Sequence, residues 1–198
     1  MLVTKKAPDF KAQAVLADNQ IVADFELYKN LGKNGAVLFF WPLDFTFVCP
    51  SEIIAFSNRV EKFKERGVNV IGVSIDSQFT HFAWKNTPVD QGGVGDIQFP
   101  MVADIDKSIT RSYDILLNES VALRGSFLID KNHTIRHAVI NDLPLGRNVD
   151  EMLRMVDALL FHEEYGEVCP AGWQKGDEGM KADSKGVASY LAKHKKDL

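Results

Sequence analysis

The feature that most constrains the fold is an unbroken apolar run, Ala-Val-Leu-Phe-Phe-Trp at residues 36–41, which ends at Pro42. A strand that is apolar on both faces has to be covered from both sides, as in the middle of an α/β sheet. A second β-prone run, Val-Asn-Val-Ile-Gly-Val-Ser-Ile at residues 68–75, has the same character. The two runs predict a central sheet that is covered by helices.

The segments around these strands supply the rest of a mixed α/β fold. Between the two strands, apolar residues recur at helical spacing, which predicts one helix from Pro50 to Gly67. The pattern predicts a domain over residues 1–163 and a C-terminal arm, interrupted by glycines, over residues 164–198. Further elements are predicted as helices at 78–85, 106–113 (with Asp106 as N-cap), 148–160 and 184–195, and as strands at 99–103, 125–130 and 134–141, the last two forming a hairpin.

Composition and charge argue against several classes of function. The 198 residues carry a net charge of −4 without a basic stripe, which argues against nucleic-acid binding by counterion release. Residues 36–41 are the longest apolar run, and this run is too short to cross a bilayer. No apolar segment follows Lys5 and Lys6, so a cleaved secretory signal is not expected. We therefore expect a soluble, cytoplasmic protein with no membrane or nucleic-acid partner.

The number and spacing of the cysteines argue against a fold held by disulfides and against a metal site, and leave inert core residues and redox thiols as the alternatives. The two cysteines, Cys49 and Cys169, are too few for a secreted fold held together by disulfides. Together with five scattered histidines they do not form a zinc-binding spacing. The glycine run at 92–95 lacks the Gly-Lys-Ser/Thr ending of a phosphate loop. We expect neither a metal nor an organic cofactor.

Cys49 stands where a helix begins. The order of buried strand, turn, Cys49 and Pro50 places the thiol at or beside the N-cap, with Pro50 suited to the first helical position. Backbone N–H groups and the positive end of the helix dipole then favour the thiolate, which is the nucleophilic form. Thioredoxin-like folds place a redox cysteine here, but Cys49-Pro50-Ser51-Glu52 lacks the second thiol of a Cys-x-x-Cys pair. This absence disfavours the alternative of a dithiol exchange enzyme.

Two separate segments resemble the typical 2-Cys peroxiredoxins, the alkyl hydroperoxide reductase C and thioredoxin peroxidase group. Residues 40–52 are similar to the active-site loop of that family, whose pattern Pro-x-x-x-Thr-x-x-Cys is met by Pro42, Thr46 and Cys49. Residues 167–173, Glu-Val-Cys-Pro-Ala-Gly-Trp, resemble the segment that carries the family's resolving cysteine. The resemblance implies a thioredoxin-like α/β fold, a mixed central sheet flanked by helices, with a C-terminal arm.

The resemblance implies a thiol peroxidase that reduces hydrogen peroxide and organic hydroperoxides. Cys49 would become a sulfenic acid, which condenses readily with a thiol. Cys169 from the other subunit of a homodimer would then form a disulfide with it, and thioredoxin or a flavoprotein disulfide reductase would recycle that disulfide. The family assembles such dimers into decamers. A ring-forming holdase chaperone or a peroxide-signalling scaffold, which the family also includes, is the alternative function.

The resemblance also implies roles for further site residues. Arg124 matches the family's active-site arginine and could stabilise both the thiolate and the negative charge that develops on the leaving oxygen. The hydroxyl of Thr46 could bind a peroxide oxygen, and Pro42 could shield the sulfur from water. Glu52 and Arg147 would support the site as a carboxylate–guanidinium pair.

Two departures from the family pattern bear on inactivation by excess peroxide. The forms that are most easily inactivated carry Gly-Gly-Leu-Gly and a C-terminal Tyr-Phe pair. This chain has Val94 within its glycine motif and Tyr190-Leu191 in its tail. Leucine supplies less packing area than phenylalanine, so we expect an intermediate sensitivity to inactivation.

Overall fold

The computed structural model describes residues 1–196 and divides them into two compact units. The first unit is Met1–Val149, and the second begins at Asp150. The predicted boundary between residues 163 and 164 falls within the second unit and stays a prediction. Cys49 belongs to the first unit and Cys169 to the second.

A seven-stranded mixed sheet forms the centre of the first unit. Two further strands pair with each other in a separate two-stranded ribbon. In chain order the strands are β1 (Lys11–Val15), β2 (Ile21–Glu26), β3 (Gly35–Phe40), β4 (Val68–Ser74), β5 (Met101–Ala103), β6 (Leu116–Leu117), β7 (Val121–Ala122), β8 (Arg124–Asp130) and β9 (Ile135–Asn141). The large sheet has the order β2-β1-β5-β4-β3-β8-β9, with β3, β4 and β5 parallel and the outer pairs antiparallel. Because β3 is buried along its whole length, the predicted mixed sheet with a covered centre is confirmed.

Helices of the first unit pack on this sheet and fix the position of Cys49. Helix α2 packs against β4, and α3 contacts both β1 and β5. Phe56 of α1 stacks on Phe39 of β3 with ring centroids 4.1 Å apart, and burying such a ring contributes about 1.5–3 kcal/mol. Since Cys49 is the first residue of α1, this stacking fixes the thiol relative to the sheet. The four helices are α1 (Cys49–Ser57), α2 (Val60–Glu65), α3 (Gln78–Asn86) and α4 (Ser108–Ser112).

The single helix predicted from Pro50 to Gly67 is wrong, since two helices occupy this stretch. The first ends at Ser57, and Arg59 leaves helical geometry with φ −113° and ψ 1°. Serine is a weak helix former because its hydroxyl competes for backbone hydrogen bonds. Here the Ser57 hydroxyl accepts a hydrogen bond from the backbone N–H of Gln98 at 3.0 Å. The spacing of apolar residues does not reveal the break between the two helices. The buried side chains on either side, Phe56 and Val60, are four residues apart, as they would be in one continuous helix.

The start of α4 also differs from the prediction. The helix predicted at 106–113 is shortened, and Asp106 is not its N-cap, because Lys107 holds that position with φ 61°. The carboxylate of Asp106 still accepts from the backbone N–H of Ser108 at 3.0 Å, and the carboxylate of Asp104 accepts from the next two backbone N–H groups at 3.0 and 2.7 Å. Two carboxylates just before the helix therefore share the capping of its first turn.

No pattern above predicts the hairpin of β1 and β2 or the ribbon of β6 and β7. The turn between β1 and β2 carries a usable signal, since Asp18 accepts from the N–H of Gln20 and Asn19 has φ 68°. The strands of the second pair contain two residues each, which is too short for any periodicity to be read.

The second unit contains two helices that the sequence predicts. Helix α5 (Val149–Tyr165) leads into the unit, and α6 (Ser184–His194) lies near its end. Asp183 caps α6 by accepting a hydrogen bond from the N–H of Gly186 at 2.7 Å. Among residues 1–196, no helix combines the length and apolarity needed to span a membrane.

Candidate active site

Cys49 opens α1 and is fully buried. Val48 is the N-cap, and Pro50 takes the second helical position, one place later than predicted. The prediction that a helix begins at this thiol is confirmed. The positive end of the α1 dipole therefore lies beside the sulfur, where it stabilises negative charge.

Two side chains lie within hydrogen-bond distance of the Cys49 Sγ. Thr46 Oγ1 is 2.9 Å from it and also 2.9 Å from the carbonyl oxygen of Leu43. A hydroxyl has one proton, so Thr46 donates either to the sulfur or to that carbonyl. Arg124 Nη1 is 3.3 Å from Sγ. The positive charge of the guanidinium therefore lies beside the sulfur, where it stabilises negative charge.

Arg124 is held in place by a buried network. Its Nε donates to the carbonyl oxygen of Leu143, and its Nη1 donates to Oε2 of Glu52, both at 2.7 Å. Glu52 lies in the first turn of α1 and also binds Arg147. The backbone N–H and Nε of Arg147 donate to Oε1 at 2.9 and 2.8 Å, and its Nη2 donates to Oε2 at 3.0 Å. The carboxylate thus bridges two guanidinium groups, one of which contacts Cys49.

Pairing within this network offsets the cost of burying its charges. Burial by itself raises the pKa of the Glu52 carboxyl, but hydrogen bonds and charges from Arg147, together with the charge of Arg124, hold that pKa below its ordinary value. Burial lowers the pKa of the Arg147 guanidinium, and Glu52 opposes that change. Arg147 also lies over the rings of Phe39 and Phe56, at 5.3 and 5.9 Å from their centroids. Glu52 is therefore ionised at neutral pH.

A buried carboxylate–imidazole pair fixes the loop before Cys49, and no sequence signal above indicates it. Asp44 Oδ2 lies 2.7 Å from His81 Nδ1, and Asp44 Oδ1 accepts from the indole N–H of Trp41 at 2.8 Å. The other ring nitrogen of His81 lies 3.2 Å from the carbonyl oxygen of Val102. Burial raises the pKa of Asp44, while the hydrogen bond and charge of His81 act in the opposite direction. The two partners are 37 residues apart, so only the folded chain shows the contact.

The loop between β3 and α1 has a buried beginning and an exposed end. Pro42 is buried, and Phe45 adopts a positive φ of 54°. Phe47 is 97% exposed, two residues before the thiol. The shielding role of Pro42 stays a prediction.

Cys169 is a free, half-buried thiol in the second unit. It donates to the carbonyl oxygen of Ala158 in α5 at 3.4 Å. Burial raises the pKa of this thiol, and the charge of Arg154 acts in the opposite direction. Of the predicted site residues, those that the structure groups around Cys49 are Thr46, Glu52, Arg124 and Arg147.

The arrangement in the first unit provides the parts of nucleophilic thiol chemistry. Cys49 supplies the nucleophile, and Thr46 and Arg124 supply hydrogen-bond donors that converge on it. A small electrophile placed against the sulfur would meet those donors where negative charge develops. Within residues 1–196, no three His, Cys, Asp or Glu side chains are arranged to hold a metal ion.

Comparison with known proteins assigns the chain to a family. A sequence model of the AhpC/TSA family matches residues 3–138. The chain belongs to this family. A second model, the C-terminal domain of 1-Cys peroxiredoxin, matches residues 158–193, which include Cys169. The resemblance of the two cysteine segments to peroxiredoxins is thereby confirmed.

Similar proteins cover the AhpC/TSA chain almost completely. Alkyl hydroperoxide reductase C of Helicobacter pylori (strain ATCC 700392 / 26695) is 73% identical over 191 residues, which are 96% of each chain. Peroxiredoxin-1 of Gekko japonicus is 50% identical over 98% of this chain and 96% of its own length. The crystal structure of reduced 2-Cys peroxiredoxin from Plasmodium vivax has 49% identity and a TM-score of 0.94, over 97% of this chain and 99% of that one. This AhpC/TSA protein is therefore a peroxiredoxin with a thioredoxin-like fold, and its activity is that of a peroxidase.

Proposed function

We propose that this AhpC/TSA protein reduces hydrogen peroxide and small organic hydroperoxides through Cys49. The observation that carries the proposal is the contact of one buried sulfur with both Arg124 and Thr46, at 3.3 and 2.9 Å. A cation and a hydroxyl on the same sulfur suit a reaction in which negative charge passes from the sulfur to a bound oxygen. The complete burial of Cys49 favours small peroxides over bulky ones.

In the first step, the Cys49 thiolate attacks one peroxide oxygen and the O–O bond breaks. The sulfur is oxidised to a sulfenic acid, and the second oxygen leaves as hydroxide or alkoxide, which takes a proton to become water or an alcohol. Arg124 and Thr46 donate to the oxygens as the charge moves, while Glu52 and Arg147 keep Arg124 in place. Pro42 keeps bulk water from the sulfur.

In the second step, Cys169 from the other subunit of a homodimer condenses with the sulfenic acid. An S–S bond forms, the S–O bond breaks, and water leaves. Thioredoxin or a flavoprotein disulfide reductase then returns both thiols, a cycle that suits the reducing cytoplasm. In this proposal the chains form homodimers, and the homodimers assemble into decamers.

The test of the first step is peroxide-dependent consumption of a thiol reductant by the native protein and by Cys49→Ser. The native protein is expected to turn over and Cys49→Ser is not. Cys169→Ser serves as the control, because it is expected to consume one equivalent of peroxide without forming a disulfide. Turnover retained in Cys49→Ser would falsify the proposal.

Electrophoresis without reductant, after one equivalent of peroxide, tests the second step. A covalent dimer that contains both Cys49 and Cys169 is expected from the native protein and not from Cys169→Ser. A disulfide confined to one chain would overturn the two-subunit version while leaving the first step intact.

A further inference from the structure

One face of α5 holds the segment that carries Cys169. Arg154 and Ala158 are four residues apart on this helix, so they project from the same face. The Ala158 carbonyl accepts from the Cys169 thiol at 3.4 Å, and Arg154 Nη1 donates to the carbonyl of Trp173 at 2.8 Å. Less than one turn further along, the ring of Phe161 lies 4.9 Å from that of Trp173. Both ends of this short segment are thus attached to α5.

The guanidinium of Arg154 is oriented by a second set of contacts. Its Nε and Nη2 form a bidentate pair with the carboxylate of Glu151 at 2.6 and 2.7 Å. A bidentate pair fixes the direction of the guanidinium as well as its charge. The side chain of Arg154 is 20% exposed, so solvent screens its charge less than that of a free surface arginine.

The charge of Arg154 bears on the protonation of Cys169. Burial raises the pKa of the Cys169 thiol, and Arg154 is the charged group that opposes this rise. Conversely, the pKa of Arg154 is raised mainly by Glu151 and in smaller part by Cys169. The resting thiol is therefore protonated and donates to the Ala158 carbonyl, while Glu151 offsets part of the Arg154 charge.

We propose that Arg154 is a positioning residue for the resolving step, which holds the Cys169–Trp173 segment on α5 and stabilises the Cys169 thiolate that attacks the sulfenic acid of Cys49. The inference rests on the proposed function, in which Cys169 resolves that acid. In this step the S–S bond forms, the S–O bond breaks, and the thiol proton and hydroxide leave as water. Because the thiolate is the attacking form, a cation beside Cys169 controls how much of it is present.

Loss of the Arg154 charge has two opposing effects on the rate at which Cys169 forms the disulfide. Together they give that rate a distinctive dependence on pH. A rise of one unit in the thiol pKa lowers the thiolate fraction near neutral pH about tenfold. The nucleophilicity of the remaining thiolate rises about threefold, since it follows the pKa with a coefficient of about 0.4–0.5. Arg154→Gln should therefore resolve more slowly than the native protein near pH 7, by about threefold for each unit by which the thiol pKa rises, and faster than the native protein well above that pKa. A merely structural role would not produce this crossover.

The experiment mixes the reduced full-length protein rapidly with one equivalent of hydrogen peroxide and measures disulfide formation against pH. Arg154→Gln is expected to move the midpoint of the profile to higher pH, and Arg154→Lys, which keeps the charge, to stay near the native profile. Glu151→Gln removes the counter-charge of Arg154 and should move the midpoint to lower pH. Lys175→Gln is the matched control, because Lys175 is a cation of the same unit that pairs with Asp157 instead.

Two outcomes distinguish a failure of this inference from a failure of the proposed function. If Arg154→Gln and Glu151→Gln both keep the native midpoint and the native rate of disulfide formation, Arg154 has no part in resolution, even if the protein remains an active peroxidase. If Cys169→Ser still forms the disulfide, the resolving role of Cys169 itself is wrong. Circular dichroism checks that each variant is folded, and if Arg154→Gln does not fold, the opposite shift expected for Glu151→Gln decides the matter.

Discussion

The substitution Glu52→Gln tests the buried network beside Cys49. The carboxylate of Glu52 receives four hydrogen bonds from Arg124 and Arg147, whose side chains are 4% and 3% exposed. Glutamine keeps the shape of the side chain but replaces one acceptor oxygen with an amide donor, which then faces guanidinium donors. It also removes the negative charge that lies between two buried cations.

The expected cost follows from that burial. Removing one partner of a buried ion pair destabilises a protein by about 3–5 kcal/mol, because the remaining charge has neither water nor a counter-charge. We expect Glu52→Gln to lower the free energy of unfolding by this amount. With a urea m-value of about 1–3 kcal/mol per molar, the unfolding midpoint falls by at least about 1 M.

Urea unfolding at neutral pH, followed by tryptophan fluorescence and circular dichroism, measures this change. Glu61→Gln is the matched control, because Glu61 pairs with Lys64 at 2.8 Å on the surface, where the two side chains are 77% and 52% exposed. The control should barely move the midpoint, since exposed pairs contribute little. If Glu52→Gln shifts the midpoint no further than Glu61→Gln does, the network is not a stabilising feature.

Three further outcomes can be checked. Because pairing holds the pKa of Glu52 below its ordinary 4.5, its contribution to stability is complete above that pH and is lost as the pH falls through the folded-state pKa. Urea midpoints of the native protein and Glu52→Gln should therefore converge in acid, and a gap that stays constant down to about pH 3 contradicts this. Thr46→Val should slow the reaction of Cys49 with peroxide about 10²-fold in stopped flow, with Thr46→Ser close to native, and equal rates in all three would remove Thr46 from the site. Mass spectrometry after graded peroxide should find sulfinic acid at Cys49 at high dose, and its absence at every dose would end the expectation of intermediate sensitivity.

Local sequence determined the type of the central elements and the place of the thiol. The run at residues 36–41 predicts a covered strand because an element buried on both faces has no position for a polar residue. The start of α1 follows from Pro50, whose fixed φ and missing N–H suit the first helical turn. The contact of Thr46 with Cys49 is also local, since the two residues are three positions apart in the chain.

Tertiary structure decided which charges meet at that thiol. Arg124 and Glu52 are 72 residues apart, and apart from the family resemblance nothing in either segment indicates the other. They meet because β3 and β8 pair antiparallel, with Phe39 opposite Ser126, so that the beginning of β8 lies beside the end of β3, from which the chain continues to Cys49. The break after Ser57 and the pair of Asp44 and His81 have the same origin in contacts between distant segments.

Sequence by itself thus determined that a reactive cysteine opens a helix next to a buried strand. Local pattern, apart from the family resemblance, could not determine which charged groups lie beside that cysteine, because a buried charge is stabilised by whichever group the sheet order brings within hydrogen-bond distance. That order places Arg124 against Cys49 and Glu52 against both arginines. Local pattern therefore determined where the nucleophile lies, and strand pairing determined which charged groups surround it.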